Sequence, residues 1–258
     1  MKTNTELEIK LKTGRITQVK VKSISGNTCK LLVECDIPVV NHKMDDAFVL
    51  IPASKLRLSD KIMSHVPATK KQEIFKEKLT KIIESGIKDF YKAIYDPSTS
   101  LDNKSICFDV GNRPAIGMTC EWWQKAAKEF LPERKSRLGT EDEYYAFLAV
   151  LMKKMVNHGY TVNKAWKVIC DDSKSIGHYI NSDHSKNEFE MTGSREFMGF
   201  CDLANTYKIL LSNSSSRDFC VAGGCYEHYG DYYPLSDVGF SGTNEPRHLC
   251  VGWIVLTK

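Results

Sequence analysis

The sequence predicts an α+β protein in which a small β module and a connecting helix precede a longer unit of helices and irregular β structure. Three observations carry this. Apolar residues alternate with charged ones near the amino end, the period of half-buried strands. The period lengthens to three and four residues over 68 to 95 and again in two segments after residue 118. Beyond residue 160, short apolar runs between long polar stretches read as strands and loops.

The amino-terminal strands come first. In "LEIKLKTG", Leu7, Ile9 and Leu11 alternate with charged residues and stop at Thr13-Gly14. Val19 and Val21 then alternate with lysine, Ser25-Gly26-Asn27 supplies a turn, and "AFVLIPASKLRL" supplies a further strand. Residues 1–60 are therefore expected to form a small barrel or sheet that docks or supports rather than catalyses. Over 68 to 95, Ile74, Leu79, Ile82, Ile83, Ile87, Phe90, Tyr91 and Ile94 recur at helical steps, so residues 61–104 are expected to hold a connecting helix followed by a linker at "DPSTSLDNKS".

The main unit is expected to span residues 105–258. Thr119 is placed to cap a helix whose apolar face is Trp122, Trp123, Ala126, Ala127 and Phe130. Thr140 with Glu143 three residues on has the spacing of a capping box, opening "EDEYYAFLAVLMKKMV". No strong helix is expected after residue 160. Trp122, Trp123, Trp166 and Trp253 are expected in the core.

Composition limits the function. The 258 residues are 42% hydrophobic and 26% charged, enough to bury a sizeable core. Thirty-six basic and 32 acidic side chains leave a net charge of +4, and they are interleaved, which argues against nucleic acid as a partner. No run approaches the roughly 18 apolar residues of a membrane helix, so the expectation is a protein without membrane partner or export signal, cytoplasmic or virion-associated. Nine cysteines are an odd count in a chain long enough to do without a disulfide framework, and reduced thiols are expected.

Five segments in order carry a resemblance. "NRPAIGMTCEWWQKAAKEF" is similar to N-x-P-V-x-G-V-S-W-x-D-A, and "SRLGTEDEYYAF" to R-L-P-T-E-A-E-W-E-Y-A, both from formylglycine-generating-enzyme and sulfatase-modifying-factor domains. "GFCDLANTYKI" resembles their G-L-x-D-M-x-G-N-V-W-E-W, "VAGGCY" their R-G-G-S-W, and "VGWIVL" their closing G-F-R-L. The resemblance covers residues 105 to 258 and implies a C-type-lectin-like fold with long loops near the carboxyl end. It also implies a structural calcium near Asp202 and Asn205, though a turn-capping role is the plainer expectation.

The departures turn the reading from catalysis to binding. The family's copper-binding cysteine pair follows its Gly-Gly, whereas here Gly223-Gly224 precedes "CYEHYGDYYPL", with His228 and Tyr233 near those positions. Lys208 replaces an acid, Ile254 replaces the terminal arginine, and no glycine precedes Asn205. Cys220 and Cys225 straddle the glycines, and a copper-dependent oxidoreductase built on them, acting on protein cysteine, is the alternative. The favoured expectation is a non-catalytic protein that binds a protein or glycan through a tyrosine-rich surface. Its contact candidates are Tyr226, Glu227, His228, Tyr229, Asp231, Tyr232, Tyr233 and Asp237, with Phe240, Asn244, Arg247 and His248 in the next stretch. This layout also resembles the variable proteins of diversity-generating retroelements, found in phages and their hosts, which concentrate sequence change after Gly-Gly. The amino-terminal module would serve a second partner or self-association. Asp171, Asp172, His178, Asp183 and His184 are acid and imidazole groups without metal-ligand spacing, and solvated surface is the expectation for them.

Overall fold

The computed structural model describes residues 47–56, 58–99, 106–108, 110–177, 192–193, 196–213, 218–225, 227, 229–239 and 249–258, together with the backbone of three amino-terminal strands and of residues 240–241. Those strands are β1 (Thr5–Lys10), β2 (Ile16–Ser25) and β3 (Thr28–Leu32), an antiparallel meander in the register Leu7 opposite Val19 and Lys20 opposite Leu32. The alternation read from the sequence thus falls on paired strands.

The next strand behaves differently from its sequence assignment. β4 (Phe48–Ile51) leads through Ala53–Lys55 and the single turn of α1 (Asp60–Met63) into α2 (Lys70–Ser85), and β5 (Phe90–Ala93) pairs antiparallel with β4. The helix expected to run to residue 95 therefore stops ten residues earlier. Gly86 takes φ +69°, a conformation glycine adopts without strain, and its N–H caps the Ile82 carbonyl. The apolar residues after it are buried on both strand faces, a pattern that short runs of sequence do not separate from a helix. Nor does α2 merely connect. Thr69 caps it, and Phe75, Leu79 and Ile82 are buried in the main core.

A two-stranded ribbon, β6 (Ser98–Thr99) and β7 (Ile106–Cys107), precedes α3 (Cys120–Phe130), capped by Thr119. After β8 (Arg137–Leu138) comes α4 (Glu141–Asn157), where the expected capping box is complete: Thr140 Oγ1 accepts from Glu143 N at 3.3 Å, and Glu143 Oε2 accepts from Thr140 N at 2.9 Å. Contrary to expectation a further helix follows, α5 (Val162–Cys170), capped by Thr161 and burying Ala165, Trp166 and Ile169. It has only nine residues, but Val162, Ala165, Trp166 and Ile169 recur at helical steps behind the Thr161 cap, so a brief signal was present in the sequence.

The chain ends with the ribbon β9 (Glu196–Phe197) and β10 (Phe200–Cys201), then β11 (Tyr207–Leu211), β12 (Phe219–Ala222), β13 (Val238–Ser241), β14 (Cys250–Gly252) and β15 (Ile254–Thr257). One sheet has the order β13-β12-β11-β14, with β11 and β14 parallel; the other has the order β4-β5-β15-β8, all antiparallel. Phe48–Ile51 is thus joined through β5 to the closing strand rather than to the amino-terminal meander.

Two tryptophans fix how these layers meet. Trp253 lies between the sheets and α4, its ring 5.5 Å from Tyr144, 6.0 Å from Phe90 and 6.1 Å from Phe147. A Cβ at Gly139 would fall 2.2 Å from the Trp253 ring, and one at Gly252 would fall 2.5 Å from Trp123, so each glycine makes room for a ring. Trp123 and Trp166 are fully buried, while Trp122 is half-buried at the margin. No described helix is long and apolar enough to cross a membrane.

Candidate binding surface

Gly223 and Gly224 end β12 and open the tyrosine-rich segment that returns to β13. Gly223, at φ +72°, donates its N–H to the Asp237 carbonyl at 2.8 Å, closing the segment at its base. The returning limb is held by buried groups. Tyr144 Oη donates to the Leu235 carbonyl at 2.9 Å, Leu235 N donates to Ser173 Oγ at 2.9 Å, and Ser236 N donates to the Ile169 carbonyl at 3.1 Å. Pro234 and Leu235 are buried and anchor this limb.

The tip is held just as closely. Ser173 N donates to the Gly230 carbonyl at 3.1 Å, and a Cβ at Gly230 would lie 2.5 Å from Lys174 N, so the backbones touch where only glycine fits. Tyr232 and Tyr233 N–H groups both donate to the Tyr229 carbonyl, forming a turn. From the other side Lys71 Nζ of α2 donates to the carbonyls of Asp231 at 2.9 Å and Tyr232 at 3.0 Å.

The side chains face the opposite way. Tyr229 is 48% exposed and Tyr232 is 68% exposed, and Glu227 and Asp231 are exposed as well. Tyr233 is half-buried, edge-on to Tyr207 at 6.0 Å and to Tyr232 at 4.7 Å, so it braces the face from behind. Asp237 is half-buried at the base, where burial raises its pKa against the pull of Lys71. Of the other candidates, Tyr226, His228, Asn244, Arg247 and His248 lie outside the described residues; Phe240 is described only in its backbone, paired with Cys220 in β13.

Beneath Gly223-Gly224 lies a feature that sequence reasoning missed. Lys92, Asp96, Thr206 and Lys208 are buried and, with Leu235 and Trp253, line one narrow cavity. Lys208 forms an ion pair with Asp96, donates to Thr206 Oγ1 at 3.2 Å and reaches the Asp202 carbonyl at 3.4 Å; Thr206 Oγ1 in turn donates to Asp96 Oδ2 at 2.7 Å. Lys92 donates to the Ala93 carbonyl and lies 4.9 Å above the Phe147 ring. Burial, then the nearby Lys208 charge, lowers the Lys92 pKa to about 7; burial, then Asp96, raises that of Asp202 to about 7. The signal in the sequence was slight: one lysine inside "FYKAIY", and Lys208 in place of an acid.

That cluster bears on calcium. Asp202, at φ +58°, accepts from Asp96 N and Gly193 N, both at 2.9 Å, which is a turn-capping role. With the Lys208 ammonium beside it, the donor set is an internal ion-pair network rather than an oxygen cage for a cation. Asp171 accepts from Thr69 Oγ1 at 2.6 Å and Gln72 Nε2 at 2.5 Å, and Asp172 from Lys174 N at 3.0 Å; His178, Asp183 and His184 lie outside the described residues. Among the described residues no group of three or more His, Cys, Asp and Glu side chains is placed to hold a metal.

None of the seven cysteines whose side chains are described forms a disulfide. Cys220 and Cys225 are both buried, and burial pushes their thiols up to about 12 and about 11. These are protonated, packed thiols rather than nucleophiles.

In class, then, this is an α+β protein that carries a backbone-pinned, aromatic loop. Comparison of the chain with protein-family models, with curated proteins and with solved structures finds no match in any of the three.

Proposed function

We propose that the protein is a binding protein whose tyrosine-rich segment after Gly223-Gly224 contacts a protein or glycan. The observation that carries this reading is the contrast within one short segment. Its backbone is tied to α2, α4, the end of α5 and the turn after α5, while Tyr229 and Tyr232 point outward. Tyrosines fixed in this way lose little entropy on binding and offer wide amphipathic contact.

A C-type-lectin-like body is the finer fold reading that we attach to this. Its support is an α+β core whose closing strand β15 lies between β5 and β8, together with a long irregular segment near the carboxyl end. The segment's pinned backbone also suits a diversified surface of the retroelement type, with the amino-terminal meander serving attachment or self-association. The copper-dependent alternative gains no support from Cys220 and Cys225, whose thiols are held protonated.

The test is selection of binders with the full chain, on a glycan array and from a displayed library of protein domains. The reading requires that Tyr229→Ser with Tyr232→Ser lose those binders while the thermal midpoint stays in place. Diversification is tested in the gene: a second, near-identical copy of the coding segment for residues 225 to 249, differing mainly at adenines and beside a reverse transcriptase gene, is expected, and absence of both removes that part.

A further inference from the structure

A second surface lies near the base of the loop's supports. A groove of about 680 Å³ opens between the start of α2 and the outer face of α5, lined by His65, Val66, Gln72, Asn163, Lys167 and Asp171 among others. Its described lining contains no loop residue, but two of its residues adjoin groups that hold the loop. Gln72 follows Lys71, which holds the Asp231 and Tyr232 carbonyls, and Asp171 lies just before the Ser173-Lys174 turn packed on Gly230.

The groove is already shaped. The His65 ring stacks on the buried Trp166 at 4.9 Å, and its Nε2 is 3.0 Å from Gln72 Oε1, which also accepts from Ala68 N at 2.9 Å. Gln72 Nε2 continues the chain to Asp171, whose second oxygen is taken by Thr69. Such a cross-linked floor needs little reorganisation to receive a ligand. Its lining also has an unbalanced chemistry. Asp171 is the one carboxylate among the described lining residues, and both its oxygens are engaged within the protein. The Lys167 ammonium, by contrast, has no hydrogen-bond or ion-pair partner among the described residues. Val66 on the lip is 79% exposed, the most exposed large apolar side chain described.

We infer that this groove takes an extended, acid-bearing peptide segment of the same protein partner that the tyrosines engage, with a carboxylate on Lys167 and an apolar side chain against Val66. The inference rests on the binding reading above and narrows its partner to protein. Charge complementarity sets the sign of the segment, and the proximity of Gln72 and Asp171 to the residues that hold the loop sets its nearness to Tyr229 and Tyr232.

The test uses the full chain to select from a displayed library of short random peptides, followed by binding measurements on Lys167→Glu and, separately, on Tyr229→Ser with Tyr232→Ser. Selected peptides are expected to be rich in Asp and Glu with at least one apolar residue, and to bind Lys167→Glu about tenfold or more weakly at an unchanged thermal midpoint. Should Lys167→Glu lower the midpoint, Val66→Asp elsewhere on the lip is expected to give the same loss. Unchanged affinity on both groove variants, peptides without acidic enrichment, or recovery of no peptide would overturn the groove. If the tyrosine variant alone loses binding, the loop reading survives without it; if the groove variants alone lose binding, the tyrosine reading fails and the groove stands.

Discussion

The tyrosine-rich loop and the ionic cluster beneath it lie on either side of Gly223-Gly224 and solve opposite problems. In the loop the described hydrogen bonds from Lys71, Ser173 and Tyr144 fall on the backbone, which leaves the exposed Tyr229 and Tyr232 rings with little structural duty. In the cluster the side chains themselves carry the bonds: Asp96, Thr206 and Lys208 satisfy one another, and removing one strands the rest. Side chains can therefore change on the upper face at little cost in stability, and not on the lower one. A surface that must vary or adapt needs this division of labour.

The largest effects are expected below. Trp253→Ala removes the ring that joins α4 to β5 and should cost about 3 to 5 kcal/mol, read by chemical denaturation. Asp96→Ala leaves Lys208 charged and buried, with a similar loss of about 3 to 5 kcal/mol, whereas replacing both by apolar residues should cost much less. Equal losses for the single and the double variant would mean that the pair is not the unit described here.

A smaller effect is expected at the tip of the loop. Gly230→Ala drives a methyl into the Lys174 backbone and should cost about 1 to 3 kcal/mol while disturbing the whole tyrosine face. Neutral behaviour there would show that the tip is not held by this contact.

pH gives a finer probe of the cluster. The folded Lys92 pKa is about 7, below the ordinary lysine value of 10.5, so between these pH values the unfolded chain holds a proton that the folded one lacks. Stability should rise with pH across that window, by at most about 1.4 kcal/mol per unit. Asp202 acts in the other direction: its folded pKa of about 7 lies above the ordinary 3.8, so its contribution falls as pH rises from about 4 to 7. Burial is the first cause of both shifts, and the Asp96 and Lys208 charges act on both groups, with Cys201 acting on Lys92 alone. Lys92→Met should therefore abolish the alkaline rise. A rise of the same size in that variant would assign it to another group.

Much of this was legible in the sequence, because some signals are local. Thr119 and the Thr140/Glu143 box mark helix starts through bonds made within three residues, and Leu7, Val19 and Val21 mark strands through alternation. What stayed hidden depends on distant partners. Whether "FYKA" is strand or helix is decided by its pairing with Phe48–Ile51 and with β15, far away in the chain. Lys92 reads as a solvated charge until Asp96, Lys208 and Asp202 are brought to it by the fold. Tyr229 and Tyr233 look alike in sequence, yet Tyr207 covers one and leaves the other exposed. The groove between α2 and α5 joins residues about a hundred positions apart, beyond the reach of any pattern.

The smallest expected change in stability is also the most direct test of the account. Tyr229→Ser with Tyr232→Ser should move folding stability by no more than about 0.5 kcal/mol, since neither ring is buried, and should abolish binding to whatever the full chain selects. Stability lost in step with Trp253→Ala, or binding retained at full strength, would contradict the claim that this loop is a pinned backbone displaying tyrosines to a partner.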